Sequence, residues 1–256
     1  MLNKTLVIDV GTIPNAAAIA RLSVPPRLQD GFLTWPLHQL ACVSILTIIE
    51  ERSAPPTFEM SSFSRQDTTE AAIIASVERV LGSGPGALVT FNGRGFDLPL
   101  LQMRGAAHGC FTPALRAVTS TRLLRSPLVH TDLLDRLCPV RAVPKVRLVD
   151  VCASLAIPSK ADERCVGVEV CDDKWDRIRL FCELDVVSTW LLNLTLDCHD
   201  VEDFERLQDG WSSLSHWISA DQDRFEHLIP FIKVPKVGYS LDEGAILGSG
   251  PVDLVF

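Results

Sequence analysis

The feature that most constrains this chain lies near its start. In TLVID, the apolar residues Leu6, Val7 and Ile8 run directly into Asp9. A run this short and this rich in branched side chains reads as a central strand, buried on both faces. It also delivers a carboxylate to a strand end, where a sheet opens to solvent. Gly11, Pro14 and Asn15 are expected to break the strand. Leu40–Ile49 reads as a second strand, and Thr57–Phe63 as a third on the same antiparallel meander. Residues 16–39 contain Pro25, Pro26, Gly31 and Pro36, which predicts a long loop with one short helix.

Helices then enter. Asp67 and Glu70 have capping-box spacing, and Ala71, Ile74, Val77, Val80 and Leu81 follow before Gly82. Ala87–Phe91 is another strand, Asn92–Gly95 a tight connection, and a helix is predicted from Phe96 or Asp97, with Pro99 in its first turn. Residues 110–144 read as irregular, apart from a short helix over His130–Leu137. Lys145–Ile157 and Asp176–Asp197 have helical spacing, and a last helix is predicted over Trp211–Ile229, or from an earlier start near Glu202. Val166–Val170 and Pro251–Phe256 are candidate short strands. Strands first, then alternation, then helices predict one α/β domain over 1–256. Its core spans about 4–200, with a helical and irregular extension over about 201–256.

The longest strongly apolar stretch, Leu40–Ile49, falls far short of the roughly 20 residues of a membrane span. The start of the chain has no hydrophobic region of signal-peptide length, so neither membrane insertion nor secretion is expected. None of the eight cysteines has CxxC spacing, and most sit among apolar neighbours. They read as reduced core thiols of a cytoplasmic protein. The net charge of −8 argues against broad, non-specific duplex binding. It does not argue against a site whose bound cations reverse the local field.

Three aspartates stand at positions suited to chemistry: Asp9 at a strand end, Asp97 opening a helix, and Asp185 inside a long, mostly apolar helix. A carboxylate on the buried side of such a helix calls for a partner or a metal. Phosphodiester hydrolysis commonly uses two divalent ions roughly 4 Å apart, held by carboxylates from separate elements.

Four segments carry a resemblance: TLVIDVGTIP, LVTFNGRGFDLPLLQMR, HTDLLDRL and RLFCELDVVSTWLL. In order and spacing they resemble the bacterial predicted 3'-5' exonucleases related to the exonuclease domain of family B DNA polymerases. That family belongs to the DEDD superfamily, tyrosine subgroup. Ser154–Lys160, SLAIPSK, also resembles a family segment. The resemblance spans roughly Leu6 to Leu192. It implies a ribonuclease H-like fold, with a central mixed sheet of about five strands flanked by helices. It also implies Mg²⁺ or Mn²⁺ on Asp9, Asp97 and Asp185, and the 3' end of single-stranded DNA or RNA as the bound partner. Asn92, Gly93, Arg94, Phe96, His130 and Asp132 would contact that end.

Two positions depart from the family pattern. Where the first motif has glutamate this chain has Gly11, and where the third has tyrosine it has Phe181. Gly11 supplies no ligand and is expected to leave a gap that water fills. Phe181 keeps a ring but loses the hydroxyl that would orient the attacking water. Positioned acid–base groups contribute about 10²- to 10⁴-fold, so weak or lost cleavage and weak or absent metal binding are expected. Glu169 and Asp172 are candidate replacements, whereas Glu183 should point away from Asp185. Three readings remain open: a metal-dependent exonuclease, a degenerate one that binds nucleic-acid ends or a partner protein without cleaving, and a purely structural or protein-interaction module on the same fold.

Local readings compete at some positions. Asp132 reads first as a cap, and the glycines of FNGRGF as a tight turn. Arg116, Arg122, Arg125, Arg136, Arg141, Lys145 and Arg147 enrich the middle in positive charge. They form either a strand-binding rim or a solvated face.

Overall fold

The computed structural model describes residues 3–29, 32–51, 54–119, 128–139, 146–160 and 173–234. Strand β1 (Asn3–Pro14) lies at the centre of a five-stranded sheet. Its partners are β4 (His38–Glu51), β5 (Ala54–Ser64), β6 (Gly86–Thr90) and β7 (Leu128–Asp132). The order is β5-β4-β1-β6-β7. β1 pairs with β4, and β4 with β5, antiparallel; β6 joins β1 in parallel, and β7 joins β6 in parallel. The intervening β2 (Leu28–Gln29) and β3 (Phe32–Leu33) form a separate two-stranded ribbon. The mixed sheet flanked by helices is the ribonuclease H-like α/β architecture that the resemblance implies.

β1 shows why both faces of the sheet are covered. Successive side chains alternate sides. Leu6, Ile8 and Val10 pack with α2 (Glu70–Leu81), α3 (Asp97–Ala107) and α4 (Pro113–Thr119). Val7 packs on the opposite face, against α7 (Lys174–Asp200) and α8 (Phe204–Ala220). The two-residue period puts Asp9 and Gly11 on the Val7 side, toward α7. Every residue from Cys182 to Leu192 is buried, because α7 lies between the sheet and α8. A helix covered all round loses its one-sided apolar stripe, which explains the drifting periodicity of this segment.

α8 and the 3₁₀ segment Glu226–Ile232 close the outer layer. Trp211 Nε1 donates to the Phe231 carbonyl at 2.9 Å, and Ser215 Oγ to that of Ile232 at 3.0 Å. A Cβ on Gly210 would stand 2.7 Å from Leu194 Cδ2, so the glycine sets how closely α7 and α8 approach. One polar knot ties this layer inward. Glu183, fully buried, accepts from Ser62 Oγ at 2.8 Å and from both Arg224 nitrogens at 2.8 and 3.0 Å. His227 Nε2 lies 2.8 Å from it. Glu183 thus points away from Asp185, as its spacing predicted.

Several boundaries differ from the sequence reading, each for a physical reason. β1 does not stop at Gly11; it runs to Pro14 through a register shift between Gly11 and Thr12, because the long partner β4 keeps pairing with it. The cap of α2 is Thr69, whose Oγ1 accepts from Ala72 N at 3.2 Å, and not Asp67. Glu70 is instead buried and drawn to Arg104. His130–Asp132 is strand, and only Leu133–Leu137 (α5) is helical, because β6 offers a free edge. Residues 110–144 also hold α4, so they are less irregular than expected. α6 covers Leu148–Ser154. The last helix ends at Ala220, before the 3₁₀ turn. Val166–Val170 and Pro251–Phe256 lie outside the described residues, as do Glu169, Asp172, Arg122, Arg125, Arg141 and Lys145. Of the remaining middle cations, Arg136 is paired to Asp197 and Asp200, and Arg147 to Asp150. The described cysteines are all free thiols.

Candidate active site

Asp9, Asp97 and Asp185 meet at one pocket of about 610 Å³. Asp9 comes from the far half of β1, Asp97 is the first residue of α3, and Asp185 lies midway along α7. Gly11, Asn92, Phe96, Lys160, Phe181 and Cys182 are among the other residues lining it. A larger groove of about 1280 Å³ opens at the other end of β1, beside Asn3, Glu50 and Asp209. It holds none of the three aspartates, so the smaller pocket is the candidate site.

The loop between β6 and α3 is held by its own hydrogen bonds. Asn92 has φ of 65°, and its carbonyl accepts from Gly95 N and Phe96 N at 3.0 Å each. A Cβ on Gly93 would lie 2.5 Å from Thr90, which only glycine avoids. Asp132 holds the turn from below: its buried carboxylate accepts from Asn92 N and Arg94 N at 2.8 Å each. It also caps α5 through Leu134 N at 3.1 Å. Arg94 turns away, toward the His130 carbonyl at 3.1 Å and Asp135 at 3.3 Å. His130 is bonded to Thr90 Oγ1 at 2.9 Å. Burial and the Arg94 charge pull its pKa down to about 4, so the ring is neutral near pH 7. Of the expected end-contacting residues, Asn92 and Phe96 line the pocket, while Gly93, Arg94, His130 and Asp132 build the turn that presents them.

Gly11 does not leave a gap. A Cβ there would stand 2.5 Å from Ile178 Cγ2 and 2.7 Å from Cys182 Sγ. The space into which a side chain would start is filled by two residues one turn apart on α7, so the expected water-filled gap is corrected to a packed contact. Phe181 lines the pocket half-buried, with the Arg177 guanidinium carbon 5.6 Å from its ring centroid.

Lys160 is the site residue that sequence reasoning passed over, although it ends the SLAIPSK segment. Its Nζ donates to Asp185 Oδ2 at 2.6 Å. The loop carrying it is fixed at two points. Ala156 takes a left-handed φ of 55° after α6, and Ser188 Oγ donates to the Pro158 carbonyl at 2.8 Å. Burial pulls the lysine's pKa down, but the Asp185 and Asp9 carboxylates outweigh it and keep Nζ charged. No sequence pattern signals this contact, because it joins a loop to a helix 25 residues away.

One ammonium does not balance three carboxylates. Desolvation, then the Asp185 charge, push the Asp9 carboxyl up to about 7. Desolvation and Asp9 likewise push Asp97 well above the usual range, although Val10 N donates to its Oδ1 at 3.1 Å. Asp185 Oδ1 is buried with no hydrogen-bond partner among the described residues. Hard oxygen donors, mutual repulsion and an orphaned carboxylate oxygen fit one divalent ion in donor chemistry, at Asp9 and Asp185. Among the described residues the full two-ion set does not fit, since position 11 offers neither a carboxylate nor room for the start of a side chain. Among the described residues, no three His, Cys, Asp or Glu side chains are arranged to hold an ion.

The model of the family described as "Predicted 3'-5' exonuclease related to the exonuclease domain of PolB" matches residues 30–234. No curated protein matches the chain. Among solved structures it is similar to the zinc-bound form of an E. coli ExoI–ssDNA complex, at 14% identity and a TM-score of 0.48. That match covers 85% of this chain and 45% of the other. E. coli exonuclease I with a 5cy-dA13 oligonucleotide is similar at 15% identity and a TM-score of 0.46, over 85% of this chain and 45% of the other. The family B DNA polymerase of the hyperthermophilic archaeon Pyrobaculum calidifontis is similar at 17% identity and a TM-score of 0.45. There the match covers 89% of this chain and 29% of the other. The chain therefore spans less than half the length of each of these structures.

Proposed function

Since the chain belongs to the family of predicted 3'-5' exonucleases related to the exonuclease domain of PolB, we propose that it receives the 3' end of a single-stranded DNA or RNA in the Asp9–Asp97–Asp185 pocket, with phosphodiester hydrolysis weak or lost. The observation that carries this reading is the packing of Ile178 and Cys182 against Gly11. A side chain grown from position 11 would start against Ile178 and Cys182, and the Phe181 ring has no hydroxyl to take the glutamate's part. When bound, Mg²⁺ or Mn²⁺ on Asp9 and Asp185, with Asp97 in support, would polarise a phosphoryl oxygen and acidify a bound water.

The chain's own residues do the rest. Phe96 and Phe181 present ring surface to a terminal base, a contact type worth about 1–3 kcal/mol. Asn92 adds a polar group held by the preformed turn. Lys160 fixes Asp185 and opposes the upward push that burial puts on its carboxyl. Losing the hydroxyl costs about 10²- to 10⁴-fold in rate, and losing the glutamate ligand weakens the ion, while the surfaces that would hold the strand end are kept.

The test is digestion of 5'-labelled single-stranded DNA and RNA in Mg²⁺ and in Mn²⁺, with binding measured in parallel. Wild type should bind and cut feebly, and Asp9→Ala should abolish the cutting. Gly11→Glu with Phe181→Tyr, in an Ile178→Ala and Cys182→Ala background that makes room, should cut faster than that background. Vigorous Asp9-dependent cutting by wild type would refute the claim of lost chemistry. Absence of binding to any oligonucleotide would refute the end-binding claim.

A further inference from the structure

A second pocket, of about 420 Å³, lies on the other face of the sheet and gathers Arg21, Arg65, Arg104 and His108 above Glu70. Glu70 is 3% exposed and its oxygens are already committed. Oε1 accepts from Leu40 N at 2.7 Å and from Arg104 Nε at 2.8 Å. Oε2 lies 2.6 Å from Arg104 Nη2 and 2.7 Å from His108 Nε2. One guanidinium therefore neutralises the buried carboxylate. Arg65 stands further off, at 3.7 Å from Glu70 Oε2. Arg21 makes no side-chain hydrogen bond or ion pair among the described residues, and it is exposed. Two positive charges are thus left over, in a chain whose net charge is −8. Gln39, Thr69 and Asn15 add polar groups at the rim.

The cationic pocket adjoins the end-binding pocket. Thr12 lines the first pocket and Asn15 the second, three residues further along the chain. A short ridge separates them: Thr12 Oγ1 is bonded to His38 Nδ1 at 2.9 Å, and the His38 ring meets Phe96 edge-on at 5.9 Å. α3 connects them too, since it begins at Asp97 and carries Arg104 seven residues on, about 10 Å along a helix axis. That is a span of a few nucleotides. Resting on the end-binding reading above, we infer that Arg21 and Arg65 hold the backbone phosphates of the same single strand, a few nucleotides upstream of the 3' end seated beside Asp9. Phosphate contacts of this kind position a strand without reading its bases. They give a long oligonucleotide an advantage over a short one that is steep in salt.

The test is fluorescence anisotropy with non-hydrolysable phosphorothioate dT3 and dT10 in Mn²⁺ buffer across a salt series. Wild type is compared with Arg21→Gln/Arg65→Gln. Arg104 is left intact because it supports Glu70. Wild type should bind dT10 roughly tenfold tighter than dT3 at low salt. The double variant should lose that gain, keep its dT3 affinity, and show a dT10 salt slope smaller by about 0.7 for each phosphate released. Arg21→Gln alone, at an exposed position, should give part of the loss even if the double variant folds poorly. Unchanged dT10 affinity and slope, or an equal loss on dT3, would overturn the inference while leaving end binding in place. If wild type bound neither oligonucleotide, the end-binding reading would fail first and this inference with it.

Discussion

Substituting Gly11→Ala probes whether position 11 is closed. The new methyl carbon would sit 2.5 Å from Ile178 Cγ2 and 2.7 Å from Cys182 Sγ, well inside carbon–carbon and carbon–sulfur contact. Neither obstacle yields by swinging a flexible tail. Ile178 Cγ2 branches at Cβ, and the buried Cys182 thiol is held by Cys42 and Asp9. Overpacking of this kind costs about 1–3 kcal/mol, so the urea midpoint should fall with an unchanged slope. For a chain of this size the melting temperature should drop by about 2–4 °C per kcal/mol. The cost should largely vanish in an Ile178→Ala/Cys182→Ala background, giving a coupling energy of about 1–3 kcal/mol in the cycle. A Gly11→Ala variant within about 0.5 kcal/mol of wild type would show that the position is open.

Three further outcomes follow from the electrostatics. Asp9 has its pKa raised in the fold from 3.8 to about 7, so its stabilising contribution is whole below about pH 4 and is lost as pH rises to about 7. In EDTA at pH 8, Asp9→Asn should therefore be more stable than wild type, by on the order of 4 kcal/mol, and the gap should close toward pH 4 in urea melts. Glu183 has the opposite sign: its hydrogen bonds and charge partners outweigh desolvation and hold its pKa at about 2, so its contribution is present above about 4.5 and lost as pH falls toward 2. Glu183→Gln should cost about 1–3 kcal/mol at neutral pH by weakening the charged hydrogen bonds to Arg224, whose side chain is 35% exposed, with earlier proteolytic cleavage of residues 204–232 as the readout. Asp132→Ala should cost about 3 kcal/mol through the backbone amides it releases. Hydrogen exchange at Asn92 and Arg94 should speed up, and oligonucleotide affinity should fall with it.

How much of this was legible in the residues differs from element to element. The central strand, the β4–β5 meander and the long helix were readable because burial imposes periods of two and 3.6 on side chains close together in sequence. The departures at Gly11 and Phe181 were readable too, since a missing carboxylate or hydroxyl is a matter of residue type alone. What those departures do was not. Whether Gly11 leaves water or a packed contact depends on Ile178 and Cys182 of α7, and only the stacking of that helix on β1 brings them there. Lys160 is a lysine in a loop until Ala156 and Ser188 aim it at Asp185. Glu70 resembles half of a capping box until α3 folds Arg104 over it. Residue identity and local period thus determined the strands, the helices and the inventory of acids. The partner of each acid, and with it the charge each carries, was decided by tertiary contacts, because the Coulomb and desolvation effects that set it act through space between residues distant in sequence.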